Sequence, residues 1–192
     1  SGLLAHCRVE RAIIAGFSLG GMIARRFAQD VPQQTKALVI LHSPHKRDQE
    51  AQAAILKRVH QAQKLGPQST IEAALERWFT QRFRVANPDT METVRRWVKA
   101  NKKSIYHTIY SVLATGIDEI VTPDPAIICP ALVMTSDEDY GNGPVMARAI
   151  AAEIPGAETL ILSNLRHMAL VEDPEAINRP IRQFVDKLGL PA

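Results

Sequence analysis

Cysteine is scarce in this sequence. Only Cys7 and Cys129 occur, far apart and outside any C-x-x-C or paired spacing, which excludes a thiolate metal cluster and a disulfide framework. We expect both to be buried free thiols, as suits a reducing compartment. Long apolar runs are also missing. The longest, Ala37–Leu41 and Ala126–Met134 with Pro130 inside it, fall well short of the roughly 20 residues a membrane helix needs, so no membrane partner is expected. Ser1–His6 lacks the basic-then-apolar order of a secretory signal, and the expected location is cytoplasmic. Aromatic residues make up 5% of the chain. They are not interleaved with its basic residues as a nucleic-acid surface would require, so no nucleic-acid partner is expected. Internal repeats, low-complexity tracts and interdomain linkers are absent.

What is present is ordinary globular material, 46% hydrophobic and 22% charged, enough for one sizeable core. The net charge of +3 is unevenly spread. Residues 46–110 hold 13 Lys or Arg against 6 Asp or Glu. This is read either as a solvated helical face or as an attraction for anionic ligands.

The chain is organised around Ala12-Ile13-Ile14-Ala15-Gly16-Phe17-Ser18-Leu19-Gly20-Gly21. A short apolar run leads at once into G-x-S-x-G and then into an amphipathic segment, which reads as strand, sharp turn and helix. Such a turn strains the serine backbone, and we expect Gly16 and Gly20 to be required because a Cβ at either would meet the opposing backbone. The turn lifts the Ser18 hydroxyl clear of the sheet and aims the Leu19 amide at the place where an oxyanion would form.

The remaining pattern alternates strand and helix at both ends of the chain. Ser1–Cys7 reads as the tail of a helix, and Met22, Ile23, Phe27 and Ala28 recur at helical spacing. Lys36–Leu41 is a buried parallel strand ending at Ser43-Pro44. From His45 to about Tyr110 the strand signal gives way to helical patterns: Ala54, Ile55 and Val59, then Ile71 to Phe79, then one helix from Met91 through Val112. Strand character returns at Ala131–Thr135, before the acidic loop Asp137-Glu138-Asp139. A helix over Met146–Ile154 and a strand at Thr159–Leu162 follow, and a short loop then delivers His167. Asp173 and Pro174 open a closing helix. The order implies an α/β fold with a mostly parallel sheet and helices on both faces. Its core is expected over residues 1–44 and 122–192, interrupted by an all-helical cap at 45–121.

A serine hydroxyl needs a base within reach, and that base needs a carboxylate to fix its tautomer. Asp139 and His167 follow strand ends, so Ser18, Asp139 and His167 are expected at one edge of the sheet, where open α/β folds build their sites. The alternatives are a surface-turn role for Asp139 and a helix-start role for His167. His42 and His45 also follow a strand end, and either line a pocket or supply loop polarity. No metal site and no cofactor are expected.

With these residues in place the sequence resembles the α/β-hydrolase superfamily. The resemblance rests on the elbow at Gly16–Gly21, the acid strand Pro130–Met134 with Asp139, and Arg166-His167-Met168 with Glu172, Pro174 and Phe184 behind it. It is similar to the capped, serine-nucleophile branch that contains 3-oxoadipate enol-lactonases and carbon–carbon bond hydrolases. The resemblance implies a hydrolase for a small ester, lactone or activated carbonyl compound, with Ser18, Asp139 and His167 catalytic and Leu19 an oxyanion donor. A perhydrolase would use the same residues, while a non-catalytic ligand receptor or an inert C-terminal piece of a longer hydrolase would keep only the fold. It further implies four strands before the elbow strand, with a second oxyanion donor after the third. None of these is in the sequence, so what is present corresponds to the C-terminal half of such a sheet. The elbow strand is therefore expected to self-associate or to receive a separate N-terminal segment.

Overall fold

The computed structural model describes residues 1–189, so residues 190–192 of the expected core lie outside the described residues. In chain order its elements are α1 (Gly2–His6), β1 (Ala12–Phe17), α2 (Leu19–Asp30), β2 (Thr35–Leu41), α3 (Gln49–Leu65), α4 (Ile71–Trp78), α5 (Gln81–Ala86), α6 (Pro88–Lys99), α7 (Lys103–Thr115), β3 (Ala131–Ser136), α8 (Pro144–Ala152), β4 (Glu158–Leu162), α9 (Ala169–Glu172) and α10 (Pro174–Lys187). They form two compact units. One comprises Ser1–His45 with the chain from Ile120 onward, and the other Lys46–Glu119.

The first unit holds one parallel sheet in the order β1-β2-β3-β4. Because side chains alternate along a strand, β2 splits its apolar residues between two cores. Leu38 and Ile40 pack with Ala24 and Ala28 of α2, Val133 of β3 and Ile150 of α8. Ala37, Val39 and Leu41 pack on the other face with Met134, Leu162, Ile177 and Phe184 of α10. Helices thus cover both faces, as the α/β fold requires. Asp173 caps α10 by accepting from the Ala176 amide at 3.1 Å.

The second unit is helical. Ile55 and Val59 of α3 pack on Ala114 of α7. The single helix expected over Met91–Val112 is two, α6 and α7. The break falls where the Asn101 side chain donates to the carbonyls of Trp97 and Val98 at 2.9 and 3.0 Å, satisfying the end of α6, while Lys102 turns extended. The apolar spacing continues across the break but changes environment. Met91, Val94 and Val98 are buried, whereas Ile105, Ile109 and Val112 are exposed.

Another expectation is corrected at the cysteines. Both are free, but Cys7 is exposed and Cys129 only half-buried. Cys7 ends α1, a five-residue helix that buries none of its side chains, so nothing covers the thiol. No helix among the described residues is long and apolar enough to cross a membrane.

Candidate functional site

The residue that follows each of β1, β2 and β3 bonds to the next strand. The Ser18 amide donates to Leu41 O at 2.8 Å, the His42 amide to Met134 O at 2.8 Å and the Asp137 amide to Leu162 O at 2.9 Å. The ladder therefore carries Ser18, His42 and the acidic loop to one sheet edge in fixed register.

Ser18 sits between β1 and α2 with φ 54° and ψ −116°, a backbone conformation that is strained for a residue with a Cβ. The half-buried Ser18 side chain makes no capping bond to its own helix, which leaves the hydroxyl available. Leu19 follows as the first residue of α2, where an amide has no acceptor within the helix. Gly16 is required for the expected reason, since a Cβ there would lie 2.1 Å from the Gly20 carbonyl oxygen. The reason expected for Gly20 does not hold, because a Cβ on Gly20 would meet nothing within 4 Å outside its own helix turn. The crowded partner is Gly21, whose Cβ would come within 2.5 Å of the Ser43 Cβ. The tight packing is thus between the start of α2 and the ends of β1 and β2.

The three carboxylates after β3 each hold a residue of the histidine loop. Asp137 accepts from the Asn164 amide at 2.8 Å, Glu138 pairs with Arg166 at 3.3 Å, and Asp139 Oδ2 accepts from His167 Nδ1 at 2.8 Å. Arg166 also lies over the Tyr140 ring, 5.0 Å from its centre. Of the three carboxylates, Asp139 is the one on the imidazole. Its Oδ1 accepts from the amides of Gly141 and Asn142 at 3.1 and 3.0 Å.

His42 joins this group, a role that neither pocket lining nor loop polarity anticipates. Its Nδ1 lies 2.9 Å from the same Asp139 Oδ2, and its ring is fully buried. Since an ionised carboxylate only accepts, both imidazoles donate from Nδ1. Burial alone would raise the Asp139 carboxyl, but the hydrogen bonds and charges of His167 and then His42 overcome it and hold the group well below the usual carboxylate range. Burial lowers His42 more than Asp139 raises it, so that ring is neutral. The Phe17 ring, next to Ser18, lies 4.9 Å from the His167 ring and 5.9 Å from the His42 ring, which places both imidazoles beside the elbow. The one signal His42 carries is its position immediately after a strand, which it shares with Ser18. His45 is directed elsewhere, with its Nε2 3.0 Å from Glu153 Oε1.

The ligating atoms of His42, Asp139 and His167 lie within 4.8 Å of one another, close enough for a metal trio. At 2.8 and 2.9 Å, however, each Nδ1–Oδ2 pair has a proton between its atoms, and the arrangement is a hydrogen-bonded set.

In the helical unit, Arg58 Nε donates to the Tyr110 hydroxyl at 3.1 Å and Arg47 to Leu113 O at 3.4 Å. Neither pairs with a carboxylate among the described residues. Burial first, and then the charge of Arg58, lowers Arg47 and Arg77 from the ordinary guanidinium value. Arg58 on α3 thus repels both Arg47, before that helix, and Arg77 on α4.

A parallel sheet with a strained serine at its elbow and an imidazole on a buried carboxylate is the α/β-hydrolase arrangement. The chain belongs to the hydrolase family described as serine aminopeptidase, S33, which it matches over residues 5–174. It is 29% identical over 177 residues to the (E)-2-((N-methylformamido)methylene)succinate hydrolase of Acinetobacter baylyi, covering 90% of this chain and 64% of that protein. The chain therefore spans somewhat under two thirds of that relative's length. Among solved structures, it is similar to the enol-lactonase of Burkholderia xenovorans, with a TM-score of 0.84 and 22% identity over 96% of this chain and 69% of that one. A hydrolase from Pseudomonas aeruginosa gives a TM-score of 0.82 and 25% identity over 96% of this chain and 68% of that one.

Proposed function

We propose that this chain carries the nucleophile, base and acid of a serine hydrolase acting on a small ester, lactone or other activated carbonyl compound that bears a carboxylate. The observation behind this reading is the 2.8 Å bond from His167 to the buried Asp139, beside an elbow that exposes Ser18. Ser18 Oγ attacks the carbonyl carbon while His167 Nε2 takes its proton. Asp139 holds the imidazole and stabilises its positive charge, and the Leu19 amide donates to the oxyanion. The tetrahedral intermediate collapses as His167 returns the proton to the leaving group, and water then repeats the sequence on the acyl-enzyme. The carboxylate preference is supported by the excess of Lys and Arg over Asp and Glu across residues 46–110 and by the succinate named in the Acinetobacter relative's activity.

A fluorophosphonate probe should label Ser18, and Ser18→Ala should abolish both labelling and release of p-nitrophenol from short esters. Asp139→Asn and His167→Ala should lower turnover by about three to four orders of magnitude, since such residues act as a unit. Asp137→Asn should leave it within a few-fold. Turnover retained by Ser18→Ala, or a loss confined to Asp137→Asn, overturns the assignment.

A further inference from the structure

His42 takes no part in the chemistry proposed above, yet it is held more elaborately than a space-filling residue would be. It has φ 48°, in the left-handed region that residues with a Cβ avoid. Its amide donates to Met134 O, and its carbonyl accepts from Asn142 Nδ2 at 2.8 Å. The ring is completely buried and its Nε2 has no partner. An apolar side chain would fill the position without leaving a buried nitrogen unpaired, so the gain must come from the other end of the ring. That end is Nδ1, 2.9 Å from Asp139 Oδ2, with Thr135 Oγ1 at 3.4 Å.

Oδ2 is thereby shared. It accepts from His42 on one side and from His167 on the other, with the two rings 5.7 Å apart and nearly perpendicular. Oδ1 is already committed to the Gly141 and Asn142 amides. With four donors on two oxygens, the carboxylate cannot rotate without losing one of them. Each donor also draws charge from it, and the share taken by His42 comes from the oxygen that His167 uses.

We propose that His42 is a positioning residue acting through Asp139: its Nδ1–H locks the carboxylate and lowers its basicity, and so sets the pH at which His167 can take the serine proton. The proposal rests on the Ser18–His167–Asp139 reading. The groups around His42 keep the effect local. From β1 it faces the Phe17 ring and from β3 the Thr135 hydroxyl, both uncharged. The charges acting on it are those of Asp139 and His167, while Asp137 and Glu138 are turned to Asn164 and Arg166.

Removing the donor makes Asp139 a stronger base, which stabilises the His167 imidazolium. His42→Leu should therefore move the acid limb of the kcat/KM profile upward by about 0.5 pH unit or more. His42→Asn places an amide N–H near the lost Nδ1–H and should restore the limb. Proton NMR of the unliganded protein gives a readout independent of turnover. Two strongly deshielded imidazole N–H signals are expected, one absent in His42→Leu and the other absent in His167→Ala. A residue that only packs would lower activity with the limb unmoved and leave a single deshielded signal, and either result overturns the proposal. If Ser18→Ala retains turnover while both signals are present, the hydrolase reading fails and the His42–Asp139 bond stands. If Ser18→Ala is dead and the limb stays fixed in His42→Leu, only the role of His42 fails.

Discussion

Glu153 presents its carboxylate to the guanidinium of Arg25 at 3.3 Å. Arg25 is almost wholly buried and also donates to the carbonyls of Pro44 and Ile120, at 3.0 and 3.2 Å. Glu153 in turn accepts from His45 at 3.0 Å and from the Thr122 amide at 2.7 Å. One ion pair therefore gathers the two points where the chain leaves and rejoins the sheet unit. Burial still pushes Arg25 down to about 10, against the pull of Glu153, so the cation depends on its partner. Glu153→Ala should lower unfolding stability by about 3 kcal/mol, the lower end for a broken buried pair because Glu153 retains some exposure. Urea unfolding measures it, and a loss below about 1 kcal/mol would show that the two carbonyls suffice for Arg25.

The elbow glycines should differ in tolerance. Gly16→Ala forces a Cβ onto the Gly20 carbonyl and should cost several kcal/mol or prevent folding. Gly20→Ala meets open space and should be neutral, or stabilising by up to about 1 kcal/mol through helix propensity. Thermal unfolding of the two variants decides, and equal damage would show that the elbow needs both.

Acid should destabilise the fold in two stages. The unfolded chain protonates His42 near pH 6.5, whereas burial keeps the folded ring neutral below that, so its contribution is present above about pH 6.5 and falls as pH drops. Asp139 is depressed in the fold, so its contribution is complete above about pH 5 and is lost as pH falls through and below its ordinary value near 3.9. Urea unfolding across pH 3 to 8 should show both stages. The upper one should vanish in His42→Leu, and the lower one should shrink as well, because His42 helps hold Asp139 down.

Substrate charge should register in salt. For an ester carrying a carboxylate, kcat/KM should exceed that of its neutral amide analogue and fall with ionic strength. Equal salt dependence for the two substrates would return the basic residues of 46–110 to a solvated face.

Among the described residues β1 is bonded only to β2, and Ala15 lies exposed along it. An open apolar edge invites another strand. The chain alone should therefore form a dimer by light scattering, and Ala15→Lys should suppress it. A monodisperse monomer at high concentration would mean that the edge is closed by other means.

Much of this was legible in the sequence because the relevant signals are local. The buried run at β2, Gly16 against the Gly20 carbonyl and the cap at Asp173 each act within a few residues. The expected grouping of Asp139 with His167 followed from strand order alone. What was not legible depends on contacts distant in sequence. His42 meets Asp139 across 97 residues, and no spacing rule distinguishes it from His45. Gly21 is crowded by Ser43 of the neighbouring strand end, which a turn motif does not encode. The break between α6 and α7 was hidden because Asn101 ends one helix inside an apolar spacing that continues through it.

Arg25 has one more consequence, for how such a chain can vary. By holding the carbonyls of Pro44 and Ile120, it closes the crossover between β2 and β3 whatever lies between them. The entropy of closing a loop grows only logarithmically with its length, about 0.6 kcal/mol per doubling. Residues 46–119 can therefore be lengthened, shortened or exchanged at little cost to the sheet, and Ser18, His42, Asp139 and His167 all lie outside that interval. On the reading proposed above, the residues that act on the substrate can be kept while that interval varies.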